Sequence, residues 1–188
     1  MDVAAHALWT FVIVYLLSQW KPTAGYFNTK KKIATAVIAG FGIDLLFAPQ
    51  FFYMLTHFPA RSDFYQIAPH FPQWMFTWYY INHNYFFIAL IAVILYFTYR
   101  EYTAPATFAL ALHITMDIFT HKNVFELKPF WPLQQVPFPG LVSWGQPTFF
   151  KWNWIILLFS FALVFFHMQY QKRKLLGKQI KAKRKKDK

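Results

Sequence analysis

The chain has no cysteine, which excludes disulfides and thiolate metal sites and leaves the redox compartment undetermined. Charge is scarce as well: 14% of the 188 residues are charged, against about 25% in an ordinary soluble domain. The charges that exist are segregated, so long stretches carry almost none. Such a chain is expected to be one all-α, polytopic integral membrane domain, a helix bundle of about five transmembrane spans. The opening stretch MDVAAHALW has no basic n-region, so no cleaved signal peptide is expected. No internal repeat is visible.

What is present is apolar and aromatic, at 57% and 23% of the residues. Apolar runs mark spans at about 3–20, 33–48, 74–98, 105–121 and 152–170, lengths that suit a hydrocarbon core of about 30 Å. Between the second and third, Pro49 is expected to break or kink the helix. An aromatic, interfacial piece follows, and then a loop from Pro59 to Gln73 that contains Arg61, Asp63 and His70. Tyr99 to Ala104 reads as a tight connection, with Pro105 in the first turn of the fourth span. A loop of about thirty residues, Lys122 to Lys151, carries five prolines with Trp131 and Trp144. Long loops of this kind are usually lids or binding segments. The aromatics of span three, Tyr79 and Tyr80 among them, read as lipid-facing bulk.

Ten of the nineteen basic residues follow Tyr170. A basic tail after an apolar span (171–188) is a topology signal and a contact for anionic headgroups, disordered or lipid-contacting, rather than a nucleic-acid patch. With that tail cytoplasmic, fifteen Lys and Arg fall inside and four outside. That is a positive-inside bias with the N-terminus outside. The short chain and simple bias fit a prokaryotic cytoplasmic (inner) membrane.

Span four holds the polar residues that organise the rest. His113, Asp117 and His121 in PATFALALHITMDIFTH are spaced by four and share one helix face. An Asp near mid-bilayer costs on the order of 2.5–3.5 kcal/mol on insertion scales. His6, Asp44 and His83 fall in the same outer leaflet under the five-span topology. Histidine and carboxylate without thiolate suit zinc first, with manganese or iron(II) as alternatives. His113 and Asp117, about 6 Å apart along the axis, can share one ion. His121, about 12 Å from His113, is too far for a regular helix to offer both. It then serves a second ion, or acts as a supporting or substrate group. His6, Asp44, His83, His113, Asp117 and His121 are the candidate metal ligands, and Asp44 or Asp117 is a ligand or the general base. Asp2 is a further candidate. Asn82 and Asn84 either orient His83 or cap the surrounding helices. His57 and His70 read as surface residues and His167 as a headgroup contact. Alternatives from other classes are a transporter or proton-binding protein using the same faces, and a structural polar network. The nearly apolar inner halves of the spans count against transport.

These residues together resemble the YdjM-like family of membrane-bound, metal-dependent hydrolases, the LexA-regulated type. The resemblance rests on Asp2 and His6, Asp44, His83, the set His113, Asp117, Thr120 and His121, and Trp131-Pro132. It implies metal-dependent hydrolysis, with a phosphoester in a lipid or another amphiphile as the expected substrate, by the family's own similarity to zinc-dependent phospholipase C. Gly42-Ile43-Asp44 stands where the family often has PDxD, and WYYINHN where it has HRGxTHS. Fewer ligands imply one ion rather than several, or a site that has lost catalysis.

Overall fold

The computed structural model describes residues 2–58 and 67–186, with side chains through residue 180; Pro59, Arg61 and Asp63 lie outside the described residues. Among the described residues the fold is all-helical, with a single isolated bridge between Leu127 and Phe138. The helices are α1 (Val3–Gln19), α2 (Lys21–Phe27), α3 (Lys30–Leu45), α4 (Ala48–His57), α5 (Gln73–Asn82), α6 (Tyr85–Thr98), α7 (Arg100–Thr120) and α8 (Pro147–Lys186).

Local chemistry sets most of these boundaries. The Asp2 carboxylate caps α1 by accepting the Ala5 N–H at 2.9 Å, and Thr29 caps α3 through the Lys32 N–H at 3.2 Å. Pro49 sits in the first turn of α4, where its missing N–H costs no bond. The third apolar run is two helices bent by 52°, not one. Asn84 makes the hinge. Its side-chain NH₂ donates to the Tyr80 and Ile81 carbonyls that end α5, and its Oδ1 accepts the Phe87 N–H that begins α6. Asn84 is thus the capping residue, and His83 stands beside it at the break.

Three expectations are corrected. The stretch 99–104 is not a connection, because α7 starts at Arg100 and holds Pro105 within it. Only the bond to Glu101 is lost there, near the helix start where bonding is already incomplete. The long loop is shorter than expected, since α8 begins at Pro147, a favoured first residue. The basic tail is helical through Lys186, because KRKLLGKQIKAKRKK is rich in helix formers, has one glycine and lacks proline.

Two runs, Lys30–His57 and Pro147–Ile180, are long and apolar enough to cross a membrane, and the bent α5–α6 pair makes a third if taken as one span. α1 is apolar but shorter, at 17 residues. α7 does not qualify on hydropathy, and its position explains why: it packs against α1, α3 and α6 and buries Pro105, Ala109, Leu110, His113, Ile114 and Asp117. A helix enclosed by neighbours needs no lipid-matched surface. Conversely, α8 exposes Ile156, Phe159 and Phe166 at 52%, 66% and 68%, and α6 exposes Phe97 at 81%. Apolar surface on this scale calls for cover by lipid or by another protein.

Candidate metal centre

Asp117 is the hub. Its side chain is 2% exposed, and three imidazoles approach its two oxygens. His6 Nε2 hydrogen-bonds Oδ1 at 2.9 Å, and His121 Nδ1 is 3.2 Å from the same atom. His113 Nε2 is 3.0 Å from Oδ2 and 3.5 Å from Asp44 Oδ1, which in turn is 3.8 Å from His83 Nε2. Asp44, His83, His113 and Asp117 offer ligand atoms that all lie within 4.8 Å of one another. The structure therefore brings the six sequence candidates together, four in one tight group and His6 and His121 on the far oxygen of Asp117.

Three histidines are oriented in the same way. His113 Nδ1 contacts the Gly40 carbonyl at 2.7 Å, His121 Nδ1 the Asp117 carbonyl at 3.1 Å, and His83 Nδ1 the Tyr79 carbonyl at 3.3 Å. A carbonyl only accepts, so each Nδ1 must carry a proton, and a ring in its neutral form then presents an Nε2 lone pair. For His113 that lone pair faces two carboxylates and forms no hydrogen bond with either. Asp44 Oδ2 is likewise buried with no hydrogen-bond partner among the described residues. Leaving a buried polar atom unpaired costs about 1–3 kcal/mol. Lone pairs and carboxylates turned toward one point, with Nδ1–H groups tied to carbonyls behind them, form a donor set that could hold a metal ion. The residues fit the group that the sequence implies.

Above this floor lies a cavity of about 300 Å³. Asp2, Asp44, His83, Asp117 and His121 line its polar end, and Phe47, Tyr79, Phe125 and Trp144 its walls. Asp2 thus both caps α1 and borders the site. Tyr79 is not lipid-facing bulk: it is 7% exposed and its hydroxyl donates to the Phe125 carbonyl at 3.2 Å. The run of aromatics in WYYINHN hides this, because either face could be the outer one.

The segment after α7 is stitched onto that helix's end. The N–H groups of Leu141 and Val142 donate to the Phe119 carbonyl at 2.9 and 3.1 Å, and that of Trp144 to the Thr120 carbonyl at 2.9 Å. These are carbonyls a helix end leaves without internal partners. The docked segment sets the Trp144 ring 6.5 Å from the His121 ring.

The remaining histidines lie elsewhere. His57 is exposed against Tyr53, and His70 is exposed. His167 contacts the Tyr15 hydroxyl at 2.8 Å, so a protein partner takes one side of the ring expected to meet headgroups. Gly40 is not among the sequence candidates, and a lone glycine in an apolar helix gives little signal. It lets α1 and α3 touch: a Cβ there would stand 2.5 Å from Thr10 Oγ1. Gly40→Ala is expected to push α1 from α3, shift the carbonyl that holds His113 and cost about 1–3 kcal/mol as overpacking. Thermal unfolding in detergent, followed by tryptophan emission, measures this; an unchanged midpoint would show that Thr10 yields freely.

No known family model, curated protein or solved structure matches the chain.

Proposed function

We propose that this chain is an integral-membrane, metal-dependent hydrolase acting on an amphiphile, with a phosphoester in a lipid as the favoured substrate. One observation carries the reading: His83, His113 and His121 have Nδ1 tied to backbone carbonyls while Asp44 and Asp117 converge on the same cavity floor. The resemblance to the YdjM-like hydrolases, on His6, Asp44, His83, His113, Asp117 and His121, points the same way.

In this reading α1, the α3–α4 run, the bent α5–α6 pair, α7 and α8 are five crossings, with the N-terminus outside and the basic end of α8 in the cytoplasm of a prokaryotic cell. The lipid-like exposure of α6 and α8 and the enclosure of α7 support that count.

His113 Nε2, His83 Nε2, Asp44 Oδ1 and Asp117 Oδ2 would hold the cation. A bound zinc, manganese or iron(II) ion acts there as a Lewis acid and lowers the pKa of water toward neutrality. Asp44 has its second oxygen unpartnered, so Oδ2 is the atom placed to take a proton from the nucleophile. His121 keeps Nδ1–H on the Asp117 carbonyl and borders the cavity, which leaves its Nε2 lone pair for the cavity side. Phe47, Phe125 and Trp144 exclude water and receive the apolar part.

Elemental mass spectrometry on detergent-purified protein tests the reading. Wild type is expected to carry stoichiometric zinc, manganese or iron, and His113→Ala to lose it. Folded wild-type protein that stays metal-free in supplemented buffer overturns the reading, and the polar cluster is then packing or a proton path. A chromogenic phosphodiester and a carboxyl ester in mixed micelles then separate the two substrate classes.

A further inference from the structure

The cation position proposed above uses only one side of Asp117. On the other side His6 is fully buried and stacks on His113, with ring centroids 3.8 Å apart and planes 21° apart. The two stacked rings aim their Nε2 atoms at the same carboxylate, but at different oxygens: His6 at Oδ1 (2.9 Å) and His113 at Oδ2 (3.0 Å). Paired metal sites hold their ions about 3.5–4 Å apart, clamped by shared ligands. The ring spacing and the divided carboxylate reproduce that layout. His121 lies on the same side as His6, its Nδ1 3.2 Å from Oδ1. That nitrogen carries its proton toward the Asp117 carbonyl, so Nε2 is the ring's ligand atom, and Asp2 borders the cavity beside it.

Charge leads to the same conclusion. Asp2, Asp44 and Asp117 line the cavity and, among the described residues, no Lys or Arg does. One divalent ion against three carboxylates leaves the floor negative, which repels an anionic phosphoester. Two ions make it positive.

We infer that the site is dinuclear, with Asp117 bridging a first cation held by Asp44, His83 and His113 and a second held by His6 and His121. This rests on the hydrolase reading for the first cation and for the anionic substrate. It departs from the single ion implied by the carboxylate missing near Asp44.

The test is metal stoichiometry on full-length protein in detergent, loaded with Mn²⁺ and desalted. Wild type is expected to hold two ions per chain with an exchange-coupled electron paramagnetic resonance spectrum. His6→Gln and His83→Gln are each expected to hold one, with an uncoupled spectrum. Size-exclusion chromatography and helical circular dichroism confirm that each variant is folded, and His6→Asn replaces His6→Gln if it is not. One ion in wild type, lost in His83→Gln and kept in His6→Gln, overturns the second site and leaves the hydrolase reading standing. Two uncoupled ions overturn the bridge. No ion at all overturns both.

Discussion

Asp117→Asn is expected to abolish metal binding while leaving the helices in place. Asparagine keeps the shape and one acceptor oxygen but removes the charge to which three imidazoles turn. Its NH₂ donates, so whichever way the amide lies, one side of the hub presents hydrogens to a cation instead of a lone pair. Loss of a partner that merely orients a ligand costs about 10–100-fold in metal affinity. Loss of the central carboxylate is expected to exceed that, at roughly 10³-fold or more. Thermal unfolding with and without Zn²⁺ is the cleanest readout, because a ligand that binds only the folded state stabilises it by about 2.7 kcal/mol at a hundred times Kd. Wild type is expected to shift upward with zinc and Asp117→Asn not to shift. An equal shift in both would mean that zinc binds elsewhere, for instance at the exposed His57 or His70, and would remove Asp117 from the centre. Unfolding of the variant without metal is expected to change less, since His6 keeps an acceptor on that side.

Much of this centre is legible in the amino-acid sequence. The spacing of His113, Asp117 and His121 places them on one face, and an aspartate in an apolar run needs partners. The partners on other helices can be guessed but not oriented, because orientation depends on backbone carbonyls. No residue pattern marks that Gly40, rather than a neighbour, offers its oxygen to His113. α7 falls short on hydropathy for a physical reason: hydropathy measures suitability for lipid, and α7 meets protein on most sides. The hinge at His83 is half legible. Asn-His-Asn signals a polar break, yet only the paired bonds of Asn84 to both helix ends turn a continuous span into two. In the tail, charge density points to disorder while helix propensity points the other way, and propensity wins.

The contact between α7 and the segment beyond it depends on Gly140. A Cβ at that position would lie 1.9 Å from the His121 carbonyl oxygen and 2.7 Å from its carbon, both backbone atoms that no rotamer change can move. Gly140→Ala must therefore lift the segment from the end of α7. The bonds from Leu141, Val142 and Trp144 to Phe119 and Thr120 are then strained or lost together. Losing bonds worth about 1 kcal/mol each, along with the packing around them, gives an expected cost of about 3 kcal/mol. The functional cost arises from geometry. His121 is the residue that follows α7, its Nδ1–H depends on the Asp117 carbonyl one turn back, and Trp144 forms the wall above it. Freeing the segment loosens both. The expected result is cleavage by added protease between residues 122 and 146 in Gly140→Ala under conditions that spare wild type, with weaker metal retention. Equal protease resistance in the two proteins would show that the segment has room to move aside, and that Trp144 is held by its own packing rather than by the close approach at Gly140.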